Sequence, residues 1–228
     1  MSASATWHRL VELVRGAGVI VFDFDGTLVD SNAIKWRAFD RCFAQFPEHR
    51  AEIQTYCHAE HHVPRWEKFR HVYERIVGLA YTPHIEAALS AQFERDTTQD
   101  IIAAQEIPGA ASFVAGAAAS GRVIGLLSNT PHAILERILE RRGWRSWFTH
   151  VQGAPVRKAD WLARCKAAHA LSAPELVFFG DTPEDARAAE EAGCLFIGIG
   201  AQLEGKAAHW SEDFTRLNPT AQPREAGA

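Results

Sequence analysis

The chain has 228 residues, enough for one ordinary domain with a smaller insertion. With 47% hydrophobic and 23% charged residues it reads as a folded globular protein, and 24 basic against 28 acidic residues, a net charge of -4, exclude the strongly basic surface that nucleic acid or an anionic membrane demands. The cysteines Cys42, Cys57, Cys165 and Cys194 are scattered with no C-x-x-C pair, which excludes a disulfide framework or a zinc site and fits a reduced, cytoplasmic setting. The apolar run near the amino terminus falls far below the roughly 18 residues of a membrane span, so neither a membrane anchor nor a signal peptide is expected.

The first predicted strand is Gly18-Val19-Ile20-Val21-Phe22, short, β-branched and bounded by glycine, as in a buried parallel sheet. It runs directly into Asp23-Phe24-Asp25-Gly26-Thr27. In an extended segment residues i and i+2 point the same way, so Asp23 and Asp25 face one point beyond the carboxyl end of the strand. That edge is where open α/β sheets bind ligands. Gly26 permits a tight turn there, and two acids left unpaired at a sheet end would be costly without a task.

Residues 31–105 are too many for a loop inside a compact domain. Their pattern is helical: apolar residues recur at Ile34, Ala38, Phe39, Cys42, Phe43 and Phe46, and again at Trp66, Phe69, Val72, Tyr73, Ile76 and Val77. Pro47, Pro64, Gly78 and Pro83 divide the stretch into about four helices, with a further one over Ile85 to Ala104. A basic cluster, His58, His61, His62, Arg65, Lys68 and Arg70, reads by default as a mostly solvated helix face. Arg65 and Lys68 are the members expected to meet an anionic substrate if any do. The histidines have only Glu60 as an acidic partner, a poor metal set. The tryptophans, among them Trp36, Trp144, Trp161 and Trp210, read as core or interface.

A second strand, Arg122 to Leu127, ends in Ser128-Asn129-Thr130-Pro131, with Thr130 expected to cap a helix whose first residue is Pro131. Trp147 to Val151 reads as a short third strand, and Lys158 precedes the helical pattern of Trp161, Leu162, Cys165 and His169. The fourth strand, Leu176 to Phe179, leads to Gly180-Asp181-Thr182-Pro183-Glu184-Asp185. Asp185, three residues after Thr182, suits a capping box; Asp181 has no comparable structural reason. Crossover helices are expected at Ser112 to Ala119, Pro131 to Arg142, Asp160 to Ala170 and Pro183 to Ala192. No internal repeat is evident.

These four strand ends, Asp23-Phe24-Asp25-Gly26-Thr27-Leu28-Val29-Asp30, Ser128-Asn129-Thr130, Lys158 and Gly180-Asp181 through Asp185, resemble in order the four signatures of the haloacid dehalogenase-like hydrolase superfamily. Among its capped phosphatases the chain looks most like the phosphoglycolate phosphatase-like group. The resemblance implies an α/β fold, a Rossmann-like core with a parallel sheet (residues 1–30 and 106–217) and an inserted α-helical C1 cap domain (residues 31–105). The cap would hinge near Val29 to Asn32 and Gln105 to Gly109, and residues 218–228 would form a flexible tail.

It also implies a phosphoric monoester hydrolase. Asp23 would be the nucleophile that forms an aspartyl-phosphate, and Asp25 the general acid and then the base. Asp23, the backbone carbonyl of Asp25, and Asp181 would hold Mg²⁺, with Asp185 near the metal or its waters. Ser128, the N–H of Asn129, and Lys158 would hold the phosphoryl oxygens, while Asp30 and Ser31 would serve the hinge. The partner would be a small phosphorylated metabolite, with its identity and the choice of monomer or homodimer left open. Dehalogenases and phosphonate hydrolases generally lack the second aspartate, and the latter use a cap lysine as a Schiff base, which makes Lys35 the residue to watch. Phosphoglucomutase-type transfer to a sugar phosphate keeps both aspartates and stays open, as does a non-catalytic phosphate-binding module.

Overall fold

The computed structural model describes residues 3–59, 63–172 and 175–217. Helix α1 (Ala3–Gly16) leads into strand β1 (Val19–Phe22). Helices α2 (Asn32–Cys42), α3 (Arg50–Ala59), α4 (Arg65–His71) and α5 (Pro83–Ala103) follow. The chain then alternates through α6 (Ala110–Ala119), β2 (Val123–Pro131), α7 (His132–Arg142), β3 (His150–Ala154), α8 (Lys158–Ala168), β4 (Leu176–Gly180) and α9 (Pro183–Ala192), and closes with β5 (Leu195–Ile199) and β6 (Trp210–Ser211).

The strands form one parallel sheet in the order β3-β2-β1-β4-β5-β6. All of β1 is buried because helices cover both faces. Ile20 and Phe22 pack with Leu10, Val14, Phe113 and Leu139 in one layer, whereas Val19 and Val21 pack with Leu162, Cys165 and Ala189 in the other. Phe22 lies flat on Phe179 of β4, centroids 5.1 Å apart at 10°. From β1 the chain builds outward to β2 and β3 on one side, then crosses to β4, β5 and β6 on the other. The carboxyl end of β1 is therefore the point where strand order reverses, which opens a crevice there.

The expected third strand is displaced: Arg145–Trp147 forms a 3₁₀ turn and β3 begins at His150. Pro131 ends β2 and stands as the N-cap of α7 rather than its first residue, with no side-chain cap bond. Two strands and α1 exceed the sequence reading, and the Trp66 to Val77 pattern is α4 continued by a π turn, Val72–Val77, that stops at Gly78 with φ 78°.

The inserted helices have their own apolar cluster, in which Phe39, Cys42, Phe69, Leu89 and Phe93 take part. Phe39 and Phe93 join α2 to α5 with ring centroids 4.8 Å apart. Thr82 caps α5 by accepting from the Ile85 N–H, with Pro83 at the first turn. At the base of the insertion the outgoing and returning chains bond each other, Asp30 N–H to Gln105 O (3.0 Å) and Ile107 N–H to Leu28 O (3.0 Å). Beside them Arg142 of α7 donates from Nη1 to the carbonyls of Ile101, Ile102 and Ala104 at 2.8 to 2.9 Å and stacks on Trp144. It thereby satisfies the carbonyls that the end of α5 leaves open. No helix among the described residues is long and apolar enough to cross a membrane.

Candidate active site

Each of the four strand ends delivers its chemistry-bearing residues to the crevice. Asp23, Asp25, Ser128, Asn129, Lys158, Asp181 and Asp185 all line one cleft of about 570 Å³, a usual size for a small-molecule site. Asp23 follows β1 and its N–H bonds Phe179 O of β4 at 2.8 Å, which extends the sheet by one bond and aims the side chain outward. Gly26 then turns with φ 79°; a Cβ there would collide with the Asp181 carboxylate and the Asn32 amide. Gly180 leaves room in the same way for the Asp185 side chain.

Around Asp23 the site is acidic. Carboxylate oxygens of Asp23, Asp181 and Asp185, all buried, lie within 4.8 Å of one another. Lys158, at the first position of α8, bonds Asp23 Oδ1 at 2.9 Å and Asp185 Oδ1 at 2.7 Å. Burial, with the charges of Asp185 and Asp25, pushes the Asp23 carboxyl up to about 7 despite Lys158. Asp181 is raised too, by burial and then by Asp23 and Asp185. The same two acids outweigh burial at Lys158 and hold its ammonium above the ordinary range. Three buried acids sharing one lysine form an under-compensated, all-oxygen set that a small hard cation would complete, so these residues fit Mg²⁺.

The capping-box reading of Asp185 also holds: its Oδ2 accepts from the Thr182 N–H and hydroxyl while the Thr182 hydroxyl accepts from the Asp185 N–H. One oxygen fixes the start of α9 and the other faces Lys158. Asp181 is steadied by Asn32 Nδ2 at 3.1 Å and the Thr27 hydroxyl at 3.4 Å, and Gln202 donates to its carbonyl at 3.0 Å.

Around Asp25 the site is rich in donors. Ser31 donates to Oδ1 at 2.6 Å; Thr130 and Ser128 donate to Oδ2 at 2.9 and 3.2 Å, and the Lys35 ammonium lies 2.5 Å from Oδ2. Burial alone would raise this carboxyl, but the Lys35 charge, with hydrogen bonds from Lys35, Ser31 and Thr130, brings it below its ordinary value. The expected helix-capping role of Thr130 is thus corrected. Its hydroxyl is spent on Asp25, because β2 carries it into the crevice before α7 begins. Ser31, expected only at the hinge, likewise holds the acid. No local pattern marks Ser31, Asn32, Lys35 and Thr130 as partners of these acids, since each contact spans a turn or two strands; a hydroxyl at the end of an apolar strand was the one available signal at Thr130.

The basic cluster of the insertion is only partly a solvated face. Lys68 is buried, donates to Cys57 O at 2.7 Å, lies 4.9 Å from the Phe39 centroid and reaches the wall of the cleft. Arg65 sits over the Phe93 ring and lines a smaller cavity of about 80 Å³ behind the cleft instead. Arg70 is exposed, and His58 stacks on Trp36 with centroids 5.4 Å apart. Glu60, His61 and His62 lie outside the described residues. Trp36 and Trp66, read as core or interface, face the cleft.

The model of the haloacid dehalogenase-like hydrolase family matches residues 20–190. A phosphoglycolate phosphatase of Synechococcus elongatus is 28% identical over 182 residues, 79% of this chain and 82% of its own length. A second, from Cereibacter sphaeroides, is 31% identical over 186 residues, 78% of this chain and 82% of its own. The crystal structure of CbbY from Rhodobacter sphaeroides in complex with phosphate superposes with a TM-score of 0.69 at 20% identity, covering 88% of this chain and 96% of that one.

Proposed function

The chain belongs to the haloacid dehalogenase-like hydrolases, and on that premise we propose that it is a phosphatase that hydrolyses a small-molecule phosphate monoester through an aspartyl-phosphate on Asp23. The observation that carries this reading is the pair of carboxylates on one strand end, one amid acids beside Lys158, the other held by four donors. An acid so held beside the nucleophile suits proton transfer, the role that dehalogenation does not need. Lys35, the lid lysine that a phosphonate hydrolase would use as an amine, is instead ion-paired with Asp25.

In the first step an Asp23 oxygen attacks phosphorus, the bond from phosphorus to the ester oxygen breaks, and Asp25, which would take up a proton once the anionic ester lies beside it, gives that proton to the departing alkoxide. In the second, Asp25 takes a proton from water, whose oxygen attacks the acyl phosphate; inorganic phosphate leaves and the Asp23 carboxylate is restored. Ser128, the Asn129 N–H and Lys158 would hold the phosphoryl oxygens meanwhile. Asp23, Asp181 and Asp185, with the carbonyl of Asp25, would hold Mg²⁺, which when bound offsets the negative charge that repels a carboxylate from a phosphate.

The lid would comprise residues 31–105 and the core residues 1–30 and 106–217, while residues 218–228, read as a tail, lie outside the described residues. The similar phosphoglycolate phosphatases support a small anionic ester as substrate. Lys68, at the cleft wall, keeps its proposed place in substrate selection, while Arg65 would act only through the smaller cavity.

A panel of phosphorylated metabolites and p-nitrophenyl phosphate, assayed with Mg²⁺ or EDTA beside an Asp23→Asn control, tests the reading. Mg²⁺-dependent phosphate release that vanishes in the control is expected. Transfer of the phosphoryl group to a sugar, or binding without release, would replace it by the mutase or the binding module.

A further inference from the structure

Asp25 receives its charged partner from the lid rather than from the core. Lys35 lies in the first turns of α2, its Nζ 2.5 Å from Asp25 Oδ2 and 3.0 Å from the Thr130 hydroxyl, which itself donates to the same oxygen at 2.9 Å. The three groups close a triangle. Ser31, at the N-cap of α2, holds the other oxygen at 2.6 Å. Residues four apart share one face of a helix, so Ser31 and Lys35 grip both oxygens of one carboxylate from a single edge of α2. Between them Asn32 reaches Asp181 at 3.1 Å. The Lys35 side chain is only 22% exposed and Asp25 10%. Placing an ammonium there costs desolvation that only a well-placed carboxylate offsets.

We propose that Lys35 is a positioning residue that fixes the Asp25 carboxylate for proton transfer and makes that orientation depend on the lid being seated against the core. This rests on the phosphatase reading above. Without Lys35 the Oδ2 oxygen keeps only neutral partners, Thr130 and Ser128, and α2 loses its ionic tie to the sheet end.

The test uses the full chain with Mg²⁺ and the Lys35→Met and Lys35→Arg variants. On the alkyl phosphate that the unaltered protein hydrolyses fastest, Lys35→Met should lower kcat about 30-fold and change KM by less than about threefold. With p-nitrophenyl phosphate, whose leaving group needs no proton, the first-turnover burst should stay within about twofold while the steady-state rate falls, and Lys35→Arg should recover most of the loss. A raised KM with kcat held would make Lys35 a substrate contact; equal losses in burst and steady state would make its role structural; unchanged kinetics would remove any role. Each of these overturns the proposal. Independently of activity, acylation of lysines by a succinimidyl ester, read by mass spectrometry, should rise about fivefold at Lys35 in Asp25→Asn and stay constant at other lysines. Unchanged labelling would dissolve the ion pair itself. A protein that releases phosphate from no ester sinks the phosphatase reading, whereas the labelling still decides the pair.

Discussion

Asp23 and Asp25 stand two residues apart on one strand end, yet their surroundings are opposite. Asp23 shares its neighbourhood with Asp181 and Asp185 and is pushed up to about 7 by burial first and its acidic neighbours next. Asp25 is as deeply placed but faces Lys35, Ser31, Thr130 and Ser128, and its carboxyl lies below the ordinary value. The two halves of the site therefore answer to different elements. The strand ends with the first turns of α8 and α9 assemble the acid cluster, to which the insertion adds only Asn32, whereas the acid of the second half takes its charged partner, Lys35, from the insertion.

That contrast can be broken by substitution. Asp23→Asn should abolish turnover, by about 10⁴-fold or more, and at pH 8 in EDTA should raise rather than lower stability, by about 1 kcal/mol, because it removes one charge from a crowd of acids. Asp25→Asn should cost about 10³-fold in kcat and about 2 kcal/mol of stability, since it leaves Lys35 and two hydroxyls without their acceptor. Thermal melts beside phosphate-release assays read both, and stability changes of the same sign would erase the distinction.

Gly26→Ala sits between the halves: its Cβ would strike Asp181 and Asn32 at a positive φ, so a loss of about 3 kcal/mol and weakened Mg²⁺ response are expected, checked by denaturant melts and Mg²⁺ titration. Thr130→Val keeps the shape but removes the hydroxyl shared by Lys35 and Asp25. About a tenfold drop in kcat with an intact melt is expected; an unaltered kcat would show that Lys35 and Ser31 hold Asp25 without it.

The smallest effect is in pH dependence. The raised values of Asp23 and Asp181 mean that the folded chain binds protons more tightly than the unfolded one between about pH 4 and 7, so in EDTA stability should fall as pH rises across that window. Asp25 acts oppositely, its contribution present above its unfolded value and lost only in stronger acid. A Tm decrease of about 3 °C from pH 5 to 8 in EDTA, reduced by Mg²⁺ and by Asp23→Asn, is expected.

Much of the acid half was legible in the chain, because Asp23 and Asp181 each follow an apolar strand and the carboxyl edge of a parallel sheet gathers such residues, while Lys158 follows the more polar β3 and is marked by the helical pattern after it. The donor half was not. Thr130 carries every local mark of a helix cap, and only the distance between β2 and β1 in space sends its hydroxyl to Asp25. Leu195 to Ile199 has the same short apolar signal as β1 but ends without a chemical motif, and β6 has two residues, too few for any periodicity. Lys68 belongs to a basic run that reads as solvated; the side it takes on α4 is decided by Phe39 and the Cys57 carbonyl, which lie elsewhere in the chain.

Arg142 clasps the last carbonyls of α5 from a core helix, and this gives the insertion a fulcrum. Helix α5 spans Pro83–Ala103, 21 residues, and at 1.5 Å per residue it is a lever roughly 30 Å long. With one end pinned, a tilt of about 10° carries the other end through roughly 5 Å while the pinned end hardly moves. Were the insertion to tilt about that end, a small change at the base would open the mouth widely, and the pair of Glu94 with Arg137 of α7, midway along α5, would have to part.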